Sequence, residues 1–268
     1  MAIGTRARLS RIGRDGRMLN VPMDHGITIG ATDGLRDIES TIDAVTRAGA
    51  DSVLTQKGLA SRVHPNKNGA GYVVHCNAST VIGPDGNDKR LTCSVEEAVR
   101  AGADAVSLHL NVGSDHEPEQ IEDLATLASD AERYGMPVLA MTYARGANLE
   151  GEDPEHDAEY LAHAVRLGEE LGASVVKTAY SGDPASFEAV VEATDRPVIV
   201  AGGSPRGDRA MLEQVRGAMD AGAAGVSMGR SIFQHQDPGV ITRAVSRIVH
   251  EDVGVDRALG DLDGVRAR

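Results

Sequence analysis

A single closed (β/α)8 barrel, an α/β fold in which eight parallel strands alternate with helices, is what this sequence predicts for residues 1–268. Three observations lead there. One helix-to-strand joint recurs along the chain, eight short apolar runs supply the strands, and no Pro/Ser-rich linker or charge block divides the sequence. The joint reads Arg-Ala-Gly-Ala-Asp-Ser-Val at 47–53, Arg-Ala-Gly-Ala-Asp-Ala-Val at 100–106, Glu-Leu-Gly-Ala-Ser-Val-Val at 170–176 and Asp-Ala-Gly-Ala-Ala-Gly-Val at 220–226. Each closes an amphipathic run, stops at a Gly suited to the left-handed position after a helix, and passes into an apolar strand. Pro137 and Pro197 open two further strands in the same way.

Taken in order, the first strand is expected at Met18–Pro22 and the second at Ser52–Gln56. The third, at 72–76, follows a Gly/Asn-rich stretch at 61–70 that reads as a loop. The rest fall at 105–110, 138–142, 174–178, Val198–Ala201 and 225–228, several of them nearly continuous in Val, Ile, Leu and Met, as strands covered on both faces are. Helices fill the gaps. Ser94 with Glu97 forms a capping box, and Asp153-Pro154 reads as an N-cap followed by the first helical residue.

Composition excludes several function classes. No apolar run approaches the roughly 18 to 20 residues of a spanning helix, and the basic start lacks the apolar stretch of a signal peptide, so a cytoplasmic protein without membrane partners is expected. Against 40 Asp and Glu stand 27 Lys and Arg, a net charge of -13, which is the wrong sign for a nucleic-acid groove. Only Lys57, Lys67, Lys89 and Lys177 are lysines. An acidic, Arg-over-Lys surface with Asp in excess of Glu suits high intracellular salt, where ions screen the excess charge. Cys76 and Cys93 have neither metal nor redox spacing and read as buried reduced thiols.

In such barrels chemistry sits at the carboxyl ends of the strands. These ends are Pro22-Met23-Asp24-His25-Gly26, Gln56-Lys57-Gly58, His75, His109 to Asn111 with Gly113-Ser114-Asp115, Thr142-Tyr143-Ala144-Arg145-Gly146, Lys177-Thr178-Ala179-Tyr180, Gly202-Gly203-Ser204 and Gly229-Arg230. Strand alternation puts Lys177 on the face of Val175 and Ala179, toward the barrel interior. An unpaired ammonium there is penalised by several kcal/mol, which favours the neutral, nucleophilic amine. Such an amine attacks ketones and forms a Schiff base, an electron sink for making or breaking the adjacent C–C bond. A structural lysine paired with Asp24 is the competing reading. Lys57, just past its strand, reads as lining the site or forming an ion pair. Asp24 and Tyr143 are the acid/base candidates, unless Asp24 serves only a salt bridge and Tyr143 only the core. His25, His75 and His109 lack the spacing of a metal triad, and no metal or cofactor is called for. Gly202-Gly203 and Gly229-Arg230 suit an anion, with Gly admitting close backbone approach and Arg230 a guanidinium.

The segments Val-Pro-Met-Asp-His-Gly (21–26), Val-Glu-Glu-Ala-Val-Arg-Ala-Gly-Ala-Asp-Ala-Val-Ser (95–107), Asn-Val-Gly-Ser-Asp (111–115), Val-Val-Lys-Thr-Ala-Tyr-Ser-Gly-Asp (175–183), Ala-Gly-Gly (201–203) and Gly-Arg-Ser-Ile-Phe-Gln-His (229–235) resemble archaeal class I aldolases over nearly the whole chain. Within these the sequence is most similar to the 2-amino-3,7-dideoxy-D-threo-hept-6-ulosonate synthases. The resemblance implies a transaldolase reaction. Lys177 captures 1-deoxy-D-threo-hexo-2,5-diulose 6-phosphate, hydroxypyruvaldehyde phosphate departs, and the retained enamine adds to L-aspartate semialdehyde, on an alternative route to 3-dehydroquinate and aromatic amino acids. It also implies Asp24 as proton acceptor, Tyr143 as proton donor, and substrate contacts at Asp24, His25, Gly26, Ile27, Thr28, Tyr143, Ala144, Arg145, Lys177, Gly202, Gly203, Gly229 and Arg230. A large homo-oligomer is implied as well. Relatives tend to have His at Gln56, Pro at Ala144 and a Gly-rich turn at Cys76, Asn77 and Ala78, departures that bear on the acceptor pocket. Two other functions stay open: a fructose-1,6-bisphosphate aldolase, served by the same Lys, Tyr and Asp, and a non-catalytic sugar-phosphate-binding barrel.

Overall fold

Eight parallel strands close into a barrel in a computed structural model that describes residues 2–203 and 207–266. Ser204, expected at the end of the seventh strand, lies outside the described residues. The barrel strands are β1 (Met18–Pro22), β2 (Ser52–Gln56), β3 (Gly71–His75), β4 (Ala105–Val112), β5 (Val138–Ala144), β6 (Val175–Thr178), β7 (Val198–Ala201) and β8 (Gly225–Ser227). They follow one another around the barrel in chain order, and β8 closes on β1 with Met18 opposite Gly225. That seam needs glycine: at φ +148° a Cβ on Gly225 would lie 1.9 Å from the Met18 carbonyl oxygen. The TIM-barrel architecture expected from the joints is therefore observed.

Strand alternation divides the apolar side chains into two cores. Val73, Ala105, Leu139, Met141, Tyr143, Val175 and Ile199 point inward and pack with Ile12 of the N-terminal helix Ile3–Ile12, at the end of the barrel where the strands begin. Val74, Val106, Leu108, Val176 and Val200 point outward and pack against the helices. Burying each such side chain contributes roughly 1.5 to 3 kcal/mol. Three polar side chains inside the barrel bond one another: Asn20 Nδ2 donates to Ser52 Oγ at 2.9 Å and Ser227 Oγ donates to Asn20 Oδ1 at 2.8 Å.

Two local expectations are corrected. Residues 61–70 are not all loop, because the helix Ala60–Asn66 occupies most of the stretch. Its anchor is Val63, fully buried in the outer core, while His64 bonds the Ala101 carbonyl at 2.8 Å; the Asn-Gly pair only turns the chain, with Asn68 at φ +48° and Gly69 at φ +86°. Asp153-Pro154 opens a single 3-10 turn, Pro154–His156, rather than the long helix. The helix Ala158–Glu170 starts at Asp157, whose carboxylate accepts from the backbone N–H groups of Glu159 and Tyr160. The Ser94–Glu97 capping box is present as expected. After β3 the chain forms a ribbon, with Asn77–Ala78 antiparallel to Arg90–Leu91, over the mouth of the barrel; Cys76 and Cys93 at its base are free and buried.

Candidate active site

Lys177 lies in β6 between Met141 of β5 and Ile199 of β7. It shares its face with Val175 and Ala179, both packed in the inner core, and is only 6% exposed. Among the described residues its amine makes no hydrogen bond or ion pair. Asp24 follows β1 and precedes the short helix His25–Ile29. Its carboxylate, 18% exposed, stands 3.6 Å from His25 Nδ1 and 3.7 Å from His75 Nε2, and His75 Nδ1 is 2.7 Å from Ser107 Oγ. Burial pushes the Asp24 carboxyl up, but His75, His25 and Lys177 outweigh it and hold the group below the ordinary carboxylate value. Burial does the opposite to His75 and His25, holding both below the ordinary imidazole value although Asp24 opposes this. The site thus carries an ionised carboxylate next to neutral imidazoles at pH 7.

Tyr143, near the end of β5, points inward and is 9% exposed. Its ring centre is 4.9 Å from that of His109 and 5.1 Å from the Arg145 guanidinium carbon. His109 Nε2 donates to Asn111 Oδ1 at 2.7 Å. Burial, then Lys89 and Arg145, hold His109 well below the ordinary imidazole value.

The first and eighth strand ends interlock. A Cβ on Gly229 would meet His25 Cε1 at 2.5 Å, so glycine is what lets the imidazole lie there, edge-on to Phe233 at 5.1 Å. Arg230 Nη2 donates to the Gly203 carbonyl at 3.2 Å, and Gly203 holds φ +65°, a left-handed conformation natural to glycine. A cavity of about 840 Å³ opens outward from here, lined among others by Tyr143, Arg145, Ala179, Gly203 and Arg230.

Gly26, Ile27, Thr28 and Ala144 are not among the residues that line this cavity. Ile27 is 41% exposed, the Ala144 methyl packs in the outer core, and Thr28 offers its carbonyl to the Val81 N–H at 3.0 Å. Gly26 has open space around it. Lys57 is ion-paired with Glu97 at 2.5 Å, so of its two readings the ion pair is observed. Sequence reasoning passed over Lys89, whose amine donates to Ser79 Oγ and whose charge is felt at His75 and His109. Its signal was the scarcity of lysine itself.

Such residues, a buried unpaired amine in β6, a carboxylate after β1 that feels its charge and an inward phenol on the adjoining β5, suit imine chemistry on a carbonyl substrate. The DeoC/LacD family aldolase pattern matches residues 18–235, which take in all eight strands. The chain belongs to the DeoC/LacD aldolase family. Among aldolase relatives, the chain is 63% identical to a 2-amino-3,7-dideoxy-D-threo-hept-6-ulosonate synthase of Halobacterium salinarum, over 96% of this chain and 95% of that protein. A class 1 fructose-bisphosphate aldolase of the same species is 32% identical over 94% and 98% of the two chains. The solved structure of a Schiff-base-forming fructose-1,6-bisphosphate aldolase, from an analysis of its reaction intermediates, matches with a TM-score of 0.83 at 31% identity, covering 92% of this chain and 100% of that one.

Proposed function

We propose that this aldolase is a lysine Schiff-base transaldolase, a 2-amino-3,7-dideoxy-D-threo-hept-6-ulosonate synthase. The observation that carries the reading is the unpaired Lys177 amine inside the barrel, together with 63% identity to a synthase of that name over 96% of the chain. Lys177 attacks the C2 carbonyl of the diulose phosphate, and water leaves to form the imine. The C4 hydroxyl gives up its proton, the C3–C4 bond breaks, and hydroxypyruvaldehyde phosphate departs while the electron pair rests in the enamine. C3 then attacks the aldehyde carbon of L-aspartate semialdehyde, the new alkoxide takes a proton, and hydrolysis frees Lys177. Asp24 and Tyr143 move these protons, while His25, Arg145, Gly202, Gly203, Gly229 and Arg230 contact the substrates. The product enters an alternative route to 3-dehydroquinate in the cytoplasm of a salt-adapted cell. The assembly is a large homo-oligomer, which sedimentation in molar salt tests against a monomer.

Borohydride added with the diulose phosphate should fix one adduct, on Lys177 and on none of Lys57, Lys67 or Lys89, because Lys177 is the lysine buried inside the barrel without a partner among the described residues, whereas the other three donate to Glu97, the Ala70 carbonyl and Ser79. An adduct elsewhere, or turnover surviving Lys177→Ala, overturns the mechanism. With aspartate semialdehyde present, the seven-carbon amino acid should form faster than the protein cleaves fructose bisphosphate. Comparable cleavage without a semialdehyde-dependent product moves the assignment to fructose-bisphosphate aldolase.

A further inference from the structure

The chamber has two cationic corners, and the donor brings one phosphate. One corner is Arg230 against the Gly203 carbonyl, beside the β7 and β8 ends. The other lies beyond Tyr143, where Arg145 covers the phenol ring at 5.1 Å; Lys89 follows two residues after Asn87, whose side chain bonds Asn111, the hydrogen-bond partner of the His109 ring that packs on Tyr143. Lys89 Nζ donates to Ser79 Oγ at 2.7 Å and, among the described residues, has no carboxylate partner, whereas Arg145 pairs with Glu155 at 3.2 Å. Lys89 and Arg145 feel each other's charge, and Lys89 is felt at His75 and His109, so it belongs electrostatically to the mouth of the site.

The ribbon that carries Lys89 is pinned. The Asn77 side chain donates to the His109 carbonyl at 2.8 Å and accepts from the His109 N–H at 3.0 Å, extending the pairing of β3 with β4. Gln56 ties both arms, donating to the Asn77 carbonyl at 3.1 Å and accepting from Thr92 Oγ1 at 3.0 Å. Asn111 Nδ2 donates to Asn87 Oδ1 at 3.1 Å, two residues before Lys89. A lysine held this way spends less side-chain and backbone freedom on binding than one on a loose loop.

The reaction proposed above, on which this inference rests, constrains what the corner must hold. Departing and arriving aldehydes both react at C3 of the lysine-bound fragment, and the oxygen of each must lie near the phenol of Tyr143. The far end of each therefore points past Tyr143. On the departing aldehyde that end is a phosphate, four bonds from the aldehyde carbon; on the arriving one it is a carboxylate, three bonds away. Both are anions at nearly the same reach, and the retained fragment carries no charge of its own. We infer that Lys89, with Arg145, forms one anion subsite used twice in each turnover, first for the phosphate of the leaving aldehyde and then for the carboxylate of the acceptor. A flexible ammonium suits two anions of different shape, where a guanidinium alone would favour one fixed geometry.

Steady-state kinetics of Lys89→Met test this, with Lys89→Arg as the conservative variant. Removing a charge-assisted hydrogen bond should raise KM for both the diulose phosphate and aspartate semialdehyde by about 10- to 100-fold, and Arg should recover most of the loss. Inorganic phosphate should compete with the semialdehyde in the unmodified enzyme and at least about tenfold more weakly in Lys89→Met. Trapping with hydroxyacetone, a ketone without phosphate, controls for folding: Lys177 should be labelled equally in both proteins. If labelling is intact but KM is unchanged, or rises for one substrate only, the shared subsite is wrong while the Schiff-base reading stands. If Arg230→Met rather than Lys89→Met raises both KM values, the anion lies at the other corner. Absence of labelling in the unmodified enzyme overturns the Schiff-base reading itself.

Discussion

Tyr143 shows how much a single side chain is asked to do. Its phenol borders the cavity, its ring packs against His109, and the Arg145 guanidinium lies over its face. Replacing it by Phe keeps the ring packing and removes only the hydroxyl. Under the proposed mechanism Tyr143→Phe should therefore lower turnover by about 10²- to 10⁴-fold, the usual contribution of a positioned acid or base, while borohydride trapping on Lys177 persists. Turnover within a few-fold of the unmodified enzyme would leave Tyr143 a packing residue. Asp24 differs in kind: its carboxylate faces His25 and His75, so its loss would disturb the charge of the site as well as the proton path.

At the scale of elements, β4 and the ribbon over it bury polar groups on the barrel's reacting side. His109 in β4 is the clearest case, since burial outweighs everything that would favour its charge. The sign of the pH effect follows. The unfolded chain binds a proton at His109 below the ordinary value of 6.5, whereas the native state resists until a lower pH. Stability from this group is complete above 6.5 and is lost as the pH falls from there toward the depressed native value. His75 and His25 act in the same direction, and Asp24 adds a loss at lower pH, below the ordinary carboxylate value of 3.8. Thermal unfolding should accordingly be nearly flat from about pH 8 to 7 and fall below about 6.5. The decline should be shallower in His109→Gln; an equal slope in the two proteins would remove His109 from the account.

For the whole molecule the governing number is the net charge of -13. Salt screens two opposing terms. Exposed helix pairs such as Arg47–Asp43 at 2.8 Å, Arg100–Glu96 at 2.7 Å and Arg166–Glu170 at 2.7 Å weaken in salt, but solvent screens such pairs already and each adds little to stability. Repulsion among the excess carboxylates acts over the whole surface, and the Debye length of roughly 3 Å at 1 M removes most of it. The second effect should win, so the melting temperature should rise as KCl goes from millimolar to molar. A flat or falling curve would refute adaptation to high salt.

The sequence by itself determined the barrel, because the information is local and repeated. A Gly after an amphipathic run and an apolar strand after the Gly can be read within seven residues, as at 47–53 or 220–226. The inward direction of Lys177 was legible for the same reason, since alternation along a strand requires no knowledge of its neighbours. Tertiary structure decided what lies near what. Helix Ala60–Asn66 forms in a stretch whose composition suggests a loop because Val63 is buried in the outer core. Asp24 faces His75 because β1 and β3 both flank β2, and the segment that carries Lys89 comes near His109 because Asn87 bonds Asn111, the partner of His109. Pairing between residues far apart in sequence depends on barrel closure, and no local propensity encodes it.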